Sequence, residues 1–285
     1  MKIFYHRGDL DGKASGAILK KRYPDAELIG AEYGDDVPAY IASIKDGEDV
    51  FIVDYMFEPF TSMVELSKRC NLFWIDHHWF AIRQYIAAGK PIPAYVGDEK
   101  NEKAACELAW EHCFPDQPVP ETVKLLSLYD VWRHNNDNRI LSFQFGARYY
   151  LHSMTTPQWE HVLNSDPEDQ EETIEEYCYI GNILRRYQEQ NSKSMAREYA
   201  FEATFEGYKA IVMNSSSKGS GLFKSVLKPH HQLMMVFCMT SDRKFKFSVY
   251  SEDKTIDCGA LCNKYGGGGH VSAAGFVATN LDFLV

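Results

Sequence analysis

The sequence lacks several features that would assign it to a class at once. Its 285 residues contain no run of about eighteen apolar residues, and charge appears in the first residues instead of the apolar segment of a signal peptide. None of the seven cysteines forms a C-x-x-C pair, which favours reduced thiols over a disulfide framework. We therefore expect a cytoplasmic protein with no membrane association.

Positive charge is also scarce. Lysine and arginine number 30 against 40 aspartates and glutamates, so the formal net charge is −10 at pH 7. Tight, sequence-independent binding to long nucleic acid requires many cationic contacts to phosphate, and it is not expected here. Short or small anionic substrates are still possible, because metal ions could bind them.

What the sequence does contain is the pattern of a folded α/β protein. Its 45% apolar and 25% charged residues are a globular composition. Short β-rich runs at 3–6, 49–54 and 72–76 alternate with helical patterns. This alternation predicts a doubly wound, mostly parallel sheet with helices on both faces.

The length favours two domains over one. An acidic stretch at 164–176 leads into a helical run at 177–192, which we interpret as a helical connector. The prediction is a metal-binding domain over 1–192, including the connector, and a smaller α+β domain over 193–285. The second domain is predicted from strand-like runs at 200–205, 208–214, 233–240, 244–250 and 273–278.

The first two predicted strands end in residues that can bind metal. His6, Asp9 and Asp11 lie within six residues at the end of the first strand, and Asp54 ends the second. Two aspartates separated by one residue repel each other unless a cation or another partner neutralises them. In a parallel sheet, ligands collect at strand carboxyl ends. The alternatives are a polar turn at Asp11 and a helix N-cap at Asp54.

The third strand ends in Asp76, His77 and His78. Neutral imidazole is a common ligand of divalent transition metals, and a neighbouring carboxylate can fix its tautomer. Adjacent histidines can also arise by chance in an exposed loop. His230 and His231, which follow a proline and have no acidic neighbour in the sequence, illustrate that alternative.

Asp130 interrupts an otherwise apolar helical pattern. A buried carboxylate is costly unless it is paired or bound to metal, and an ion pair with Arg133 is the alternative to ligation. Together the four segments supply enough donors for two divalent cations that share a carboxylate. The mixed oxygen and nitrogen set favours manganese, with magnesium, cobalt or zinc as alternatives.

A pair of metals implies phosphoryl chemistry. Two ions roughly 4 Å apart can activate a bridging hydroxide and stabilise an in-line displacement. A glycine run in the second domain, Gly267, Gly268 and Gly269 followed by His270, predicts a nest for a substrate phosphate. A flexible turn is the alternative for this run. The segment at 7–14 does not complete a Walker P-loop, which disfavours ATP hydrolysis.

The ordered motifs resemble the DHH phosphoesterase superfamily, in the subgroup with a C-terminal DHHA1 domain. That subgroup includes RecJ-like exonucleases, nano-RNases and cyclic-dinucleotide phosphodiesterases. The resemblance spans nearly the whole chain, and the motifs that carry it are the segments 6–12, Asp54, 76–78, Asp130 and 266–270.

This resemblance implies a role for each motif residue. It implies that Asp76 orients His77 and that His78 approaches the scissile phosphate. It also implies that the glycine run and His270 bind substrate. The two implied ligand sets are His6, Asp9 and Asp54 for one ion, and Asp11, Asp54, His77 and Asp130 for the other.

The expected function is therefore a manganese-dependent two-metal phosphoesterase. It would hydrolyse phosphodiester bonds of short oligonucleotides or dinucleotides by a metal-activated hydroxide. A phosphomonoesterase or polyphosphatase, acting on a bisphosphonucleotide, pyrophosphate or polyphosphate, is an alternative with the same site. A noncatalytic nucleotide sensor is a third hypothesis, and a homodimer is left open.

Overall fold

The computed structural model describes residues 1–98, 100, 102–164, 166–269 and 271–284. The chain divides into two compact units, Met1–Leu184 and Arg185–Val285. The division lies inside a long helix, Pro167–Tyr199, which also contains the predicted boundary at Ser192. No helix in the described part of the chain combines the length and the apolar character needed to cross a membrane.

The first unit is built on a five-stranded sheet in which every pairing is parallel, in the order β2-β1-β3-β4-β5. Its strands are β1 (Lys2–His6), β2 (Glu27–Ala31), β3 (Asp49–Val53), β4 (Asn71–Asp76) and β5 (Ala94–Gly97). The central strands are apolar on both faces because both faces are covered. Phe51 and Val53 of β3 pack into one core, whereas Val50 and Ile52 pack into the other. The α/β fold class predicted from the sequence is confirmed.

Nine α-helices begin in the described part of the first unit. They are α1 (Leu10–Arg22), α2 (Val37–Ala42), α3 (Phe60–Ser67), α4 (Trp79–Ala87), α5 (Ala105–Cys113), α6 (Glu121–Asp130), α7 (Asn138–Tyr150), α8 (Gln158–Val162) and α9 (Pro167–Tyr199). Most of the acidic stretch belongs to α9, where Glu168 and Asp169 in the first turn suit the positive end of the helix dipole.

The strand order places a switch point between β1 and β3. From β1 the chain moves to one side of the sheet to form β2, and it then returns to form β3 on the other side of β1. In open parallel sheets, ligands bind beyond the strand carboxyl ends at such a point. His6 ends β1 and Asp54 directly follows β3, so both lie at this edge.

The second unit contains a six-stranded mixed sheet in the order β10-β11-β9-β8-β7-β6. Only the β7–β8 pairing is parallel among the described pairings of this sheet. Its elements are β6 (Phe201–Phe205), β7 (Tyr208–Asn214), β8 (Leu233–Met239), β9 (Phe245–Tyr250), α10 (Cys258–Asn263), β10 (Gly268–Gly269) and β11 (Ala273–Ala278). One face packs against α10, through Leu261 and Cys262.

Candidate metal centre

The ring of His6 lies among three carboxylates. Its Nδ1 is 3.0 Å from Asp9 Oδ2 and 3.5 Å from Asp54 Oδ2, whereas its Nε2 is 3.1 Å from Glu32 Oε1. Burial opposes the charged imidazole, but the facing Asp54 and Asp9 carboxylates outweigh it and raise the pKa of His6 to about 11. The Nδ1 atom therefore points towards the other candidate ligands, and Glu32 can hold a proton on Nε2.

Glu32 is a site residue that the sequence analysis missed. It directly follows β2, a strand that was not predicted, so no sequence pattern placed Glu32 near His6. A Cβ atom on Gly8 would lie 2.7 Å from Glu32 Oε2 and 2.8 Å from His6 Nε2. Glycine at position 8 therefore leaves room for the contact between the glutamate and the histidine.

Asp9 both caps a helix and faces the site. Its Oδ1 accepts a hydrogen bond from the Gly12 amide at 2.9 Å, which makes Asp9 the N-cap of α1. Its Oδ2 is the oxygen that faces His6. A Cβ atom on Gly12 would lie 2.1 Å from the His6 carbonyl oxygen, so α1 begins directly against the end of β1.

Asp11 is buried and is fixed by a distant helix. Its two oxygens accept hydrogen bonds from the amides of Ala105 at 3.0 Å and Cys106 at 2.8 Å, in the first turn of α5. The N-cap residue of α5 is Ala104, which has no side-chain acceptor, so Asp11 performs the capping. Burial and the charge of Asp54 raise the pKa of Asp11 to about 7. A nearby cation would relieve both effects.

Asp54 lies between two groups of donors. It is fully buried and has a left-handed φ of 52°, a conformation that aspartate adopts more readily than most residues. Its Oδ2 faces His6, whereas its Oδ1 is 3.6 Å from His77 Nε2 and 3.5 Å from His78 Nδ1. Neither oxygen accepts a hydrogen bond of ordinary geometry from a described residue. Helix α3 begins only at Phe60, with Pro59 as its N-cap, so Asp54 is not a cap.

His77 and Asp130 meet on the other side of Asp54. The Nε2 of His77 is 3.2 Å from Asp130 Oδ2 and 3.5 Å from Asp11 Oδ2. Burial raises the pKa of Asp130, and His77 opposes that rise. Arg133, the alternative partner of Asp130, instead donates a hydrogen bond to the Glu102 carbonyl at 3.3 Å.

The role implied for Asp76 is corrected by the geometry. Its Oδ1 is 2.8 Å from the Nδ1 of His78 and accepts the His78 amide at 3.0 Å, so this contact fixes the second histidine and not His77. The physical reason is local, because an aspartate readily bonds the backbone two residues further on. Burial opposes the charged form of His78, but Asp76 raises its pKa to about 9.

The structure thus brings all the ligand residues predicted from the sequence together. Within each of three groups, one candidate ligand atom per residue lies within 4.8 Å of the others. The groups are His6, Asp9 and Asp54; Asp11, His77 and Asp130; and Asp54, His77 and His78. A mixed oxygen and nitrogen donor set, an excess of carboxylates, and Asp54 oxygens without ordinary hydrogen bonds all fit divalent cations.

A further cluster, in the second unit, contains the histidine pair that illustrated above how adjacent histidines can arise by chance. His230 and His231 do have an acidic partner, since the Nε2 atom of each is 3.5 Å from Glu202 Oε1. However, His231 Nδ1 accepts the Lys228 amide at 3.1 Å, so a neutral ring carries its proton on Nε2. The ammonium of Lys228 is also 2.6 Å from Glu202. This arrangement is an ion pair rather than a metal centre.

At two positions of the glycine run the surrounding backbone leaves no room for a side chain, whereas at a third position it does. A Cβ atom on Gly267 would lie 2.1 Å from the Gly275 carbonyl oxygen, and one on Gly269 would lie 2.5 Å from Ala274 Cα. Gly268 has no such conflict, because the nearest atom is Asn263 Oδ1 at 3.4 Å. His270 lies outside the described residues. The substrate-binding role predicted for the run is therefore best tested at Gly268.

The variant Gly268→Ala is expected to keep the wild-type Tm and to raise the KM for substrate roughly tenfold, which corresponds to 1.4 kcal/mol. The reason is that the added methyl group meets only the Asn263 side chain, at an ordinary van der Waals distance, unless substrate approaches the backbone. The variant Gly267→Ala should instead lower Tm, because its methyl group meets backbone atoms. Thermal melts and steady-state kinetics measure both effects. An unchanged KM in Gly268→Ala would make the run purely structural.

Helix α6 ends directly after Asp130 in a Schellman motif. The Arg133 amide donates to the Leu128 carbonyl at 2.9 Å, and the Trp132 amide donates to the Tyr129 carbonyl at 3.2 Å. Trp132 therefore occupies the position where glycine is usual, with a left-handed φ of 58°. A residue with a side chain costs about 1–2 kcal/mol in this conformation. The Trp132 side chain is 75% exposed, so burial does not offset that cost.

Comparison with known proteins agrees with this architecture. No family model matches the chain. An uncharacterized protein of Acanthamoeba polyphaga mimivirus is 23% identical over 299 residues, which cover 98% of this chain and 68% of the viral protein.

Two solved structures have a similar fold. The DHH domain of a member of the s1p family of ribosomal proteins has a TM-score of 0.60 at 12% identity, covering 97% of this chain and 82% of that chain. A pGpG-specific phosphodiesterase from Vibrio cholerae has a TM-score of 0.50 at 14% identity, covering 97% and 92%. The chain therefore shares the fold of a solved DHH domain and of a solved phosphodiesterase, which agrees with the fold that the resemblance of its motifs predicted.

Proposed function

We propose that this chain is a two-metal phosphoesterase that hydrolyses phosphodiester bonds of short oligonucleotides or dinucleotides. The observation that carries the proposal is the position of Asp54. One of its oxygens faces His6, and the other faces His77 and His78. A buried carboxylate whose two oxygens address two donor groups is suited to bridge a pair of cations.

The two ligand sets follow from this position. One ion would be held by His6, Asp9 and Asp54, and the other by Asp11, Asp54, His77 and Asp130. The donor types favour manganese. When bound, the ions would supply the Lewis acidity that phosphoryl transfer requires. The chain's own contribution is to keep four carboxylates close together, through the α1 cap at Asp9 and the α5 amides on Asp11.

His78 is proposed to contact the substrate. Asp76 holds its Nδ1 and its amide, which fixes the ring at the start of α4. Since Nδ1 is engaged by Asp76, contact with a phosphate oxygen or with the leaving oxygen falls to Nε2. The Asp76 carboxylate on Nδ1 favours a protonated ring, which can donate from Nε2.

Two further observations support a small nucleotide substrate. The Vibrio phosphodiesterase with a similar fold is specific for pGpG, a dinucleotide. The net charge of −10 disfavours long nucleic acid, whose binding depends on many cationic contacts.

A substrate screen with Mn²⁺ tests the proposal. The full-length protein is incubated with 5′-phosphorylated dinucleotides, five-nucleotide RNA, 30-nucleotide RNA, a 3′,5′-bisphosphonucleotide and polyphosphate. We expect mononucleotides from the dinucleotides and from the short RNA, with much slower turnover of the 30-mer. Release of orthophosphate alone, from polyphosphate or from the bisphosphonucleotide, would replace the proposal with a polyphosphatase or a phosphomonoesterase.

A further inference from the structure

Trp132 is the most exposed of the five tryptophans, at 75%. Trp74, Trp110 and Trp159 are buried, and Trp79 is about half exposed. As described above, Trp132 also occupies a left-handed helix-end position that favours glycine. Neither burial nor backbone preference accounts for a tryptophan here, and such outliers cluster at functional sites.

The ring of Trp132 lies beside other aromatic rings, which support it on one side. The centroid of the His134 ring is 5.8 Å from that of Trp132 and 5.6 Å from that of Tyr129, on which His134 stacks at 26°. The Arg148 guanidinium lies 5.4 Å from the Tyr129 ring and donates to the Tyr129 hydroxyl at 3.3 Å. These contacts hold the three aromatic rings in one group beside the end of α6.

This group is adjacent to the candidate metal centre. Trp132 lies two residues after Asp130, so their Cα atoms are within about 7.6 Å of each other. Asp130 in turn faces His77 at 3.2 Å. A nucleotide whose phosphate was held among these groups would have its base within reach of this end of α6.

We propose that Trp132 is a stacking platform for one nucleobase of the substrate, and that the site therefore selects nucleotides over base-free phosphate compounds. This inference rests on the proposed phosphoesterase function. Stacking on tryptophan is insensitive to base identity, because every base has a π-face. We therefore expect a preference for the presence of a base and little preference among bases.

The polar surroundings favour a base over a protein partner. Trp132 is followed by Arg133, His134, Asn135 and Asn136, so the residues next to the exposed ring along the chain are polar. Protein interfaces have a larger apolar centre. A single exposed ring with hydrogen-bonding neighbours suits one flat ligand.

The test compares two substrates and four proteins with Mn²⁺ present. The substrates are a 5′-phosphorylated dinucleotide and the same molecule with one abasic position, prepared in both positional forms. The proteins are the wild type, Trp132→Ala, Trp132→Phe and Tyr149→Ala. Tyr149 is a matched control, because it is 59% exposed on α7 and the proposal gives it no contact with substrate.

We expect the wild type to have a KM roughly tenfold lower for the full dinucleotide than for one of its abasic forms. Trp132→Ala should raise the KM for the full dinucleotide to that of the abasic form, with kcat little changed. Trp132→Phe should recover most of the affinity, and Tyr149→Ala should behave as the wild type. A merely structural tryptophan would not produce a preference that depends on the base.

A stability measurement adds a second readout. Trp132→Gly should raise Tm by a few degrees, because glycine relieves the left-handed backbone, while it weakens dinucleotide binding as Trp132→Ala does. If Trp132→Ala preferred the full dinucleotide over its abasic form as strongly as the wild type does, Trp132 would not be the stacking platform, and the phosphoesterase proposal would be unaffected. Absence of hydrolysis of either substrate by the wild type would instead remove the phosphoesterase proposal and the platform with it.

Discussion

Asp54→Asn is expected to lower the Mn²⁺-dependent kcat/KM for a dinucleotide by roughly 10²- to 10³-fold, the loss typical when one electrostatic group of an active site is removed. Asp54 offers one oxygen to each donor group, so the change removes a charge from both. Asparagine has nearly the same volume and also tolerates a left-handed φ. The variant should therefore fold, and its defect should be chemical.

Initial rates and thermal melts measure this effect, with Asp116→Asn as the matched control. Asp116 is exposed in a turn outside the candidate site, so the same substitution there should leave the rate unchanged. If Asp54→Asn kept more than about a tenth of the wild-type kcat/KM, Asp54 would not be the shared ligand of two ions.

Mn²⁺ should stabilise the protein strongly, and more at pH 8.5 than at pH 6. The pKa values in the metal-free protein set this direction. That of Asp11 is raised from 3.8 to about 7, and those of His6 and His78 are raised from 6.5 to about 11 and about 9. A group whose pKa is higher in the folded chain than in the unfolded chain stabilises the fold fully at pH values below its unfolded pKa. This stabilisation is lost as the pH rises through its folded pKa.

The stability of the metal-free protein should therefore fall between pH 6 and pH 8.5, because over this range the folded chain keeps protons on His6, His78 and, up to about pH 7, Asp11 that the unfolded chain has lost. Bound Mn²⁺ replaces those protons as the positive charge of the site. At free Mn²⁺ about a hundredfold above Kd, each ion adds about 2.7 kcal/mol, so two ions add roughly 5 kcal/mol. For a protein of this size that corresponds to a rise in Tm of roughly 10 °C or more.

Thermal melts with EDTA or Mn²⁺ at the two pH values measure this effect. The Asp54→Asn variant should lose most of the rise, whereas Asp116→Asn should keep it. An equal Mn²⁺ effect at both pH values would show that metal binding displaces no protons from these side chains.

The clustering of the candidate ligand residues could be predicted from the sequence because each of them lies within two residues of the end of a regular element. The buried strands β1, β3 and β4 are apolar runs, and their polar ends are visible as His6, Asp54 and Asp76. In a parallel sheet these ends must lie at one edge, so local pattern alone was enough to bring the residues together.

The parts that the sequence did not reveal depend on edge strands and on long-range contacts. Strands β2 and β5 lie at the two edges of the sheet and are mostly half-buried, so they lack a clear apolar run, and Glu32 was missed with β2. The capping of α5 by Asp11 joins residues 94 positions apart, and no local pattern encodes it. The contact between Asp76 and His78 depends on the backbone conformation of three residues. Spacing in the sequence alone does not show which of the two histidines the Asp76 side chain faces.

The central claim is that Asp54 bridges two cations, and a crystal of the full-length protein grown with Mn²⁺ tests it most directly. Anomalous diffraction should show two manganese peaks per chain. One should lie among His6, Asp9 and Asp54, and the other among Asp11, Asp54, His77 and Asp130. A single peak, or two peaks of which only one contacts Asp54, would contradict the account.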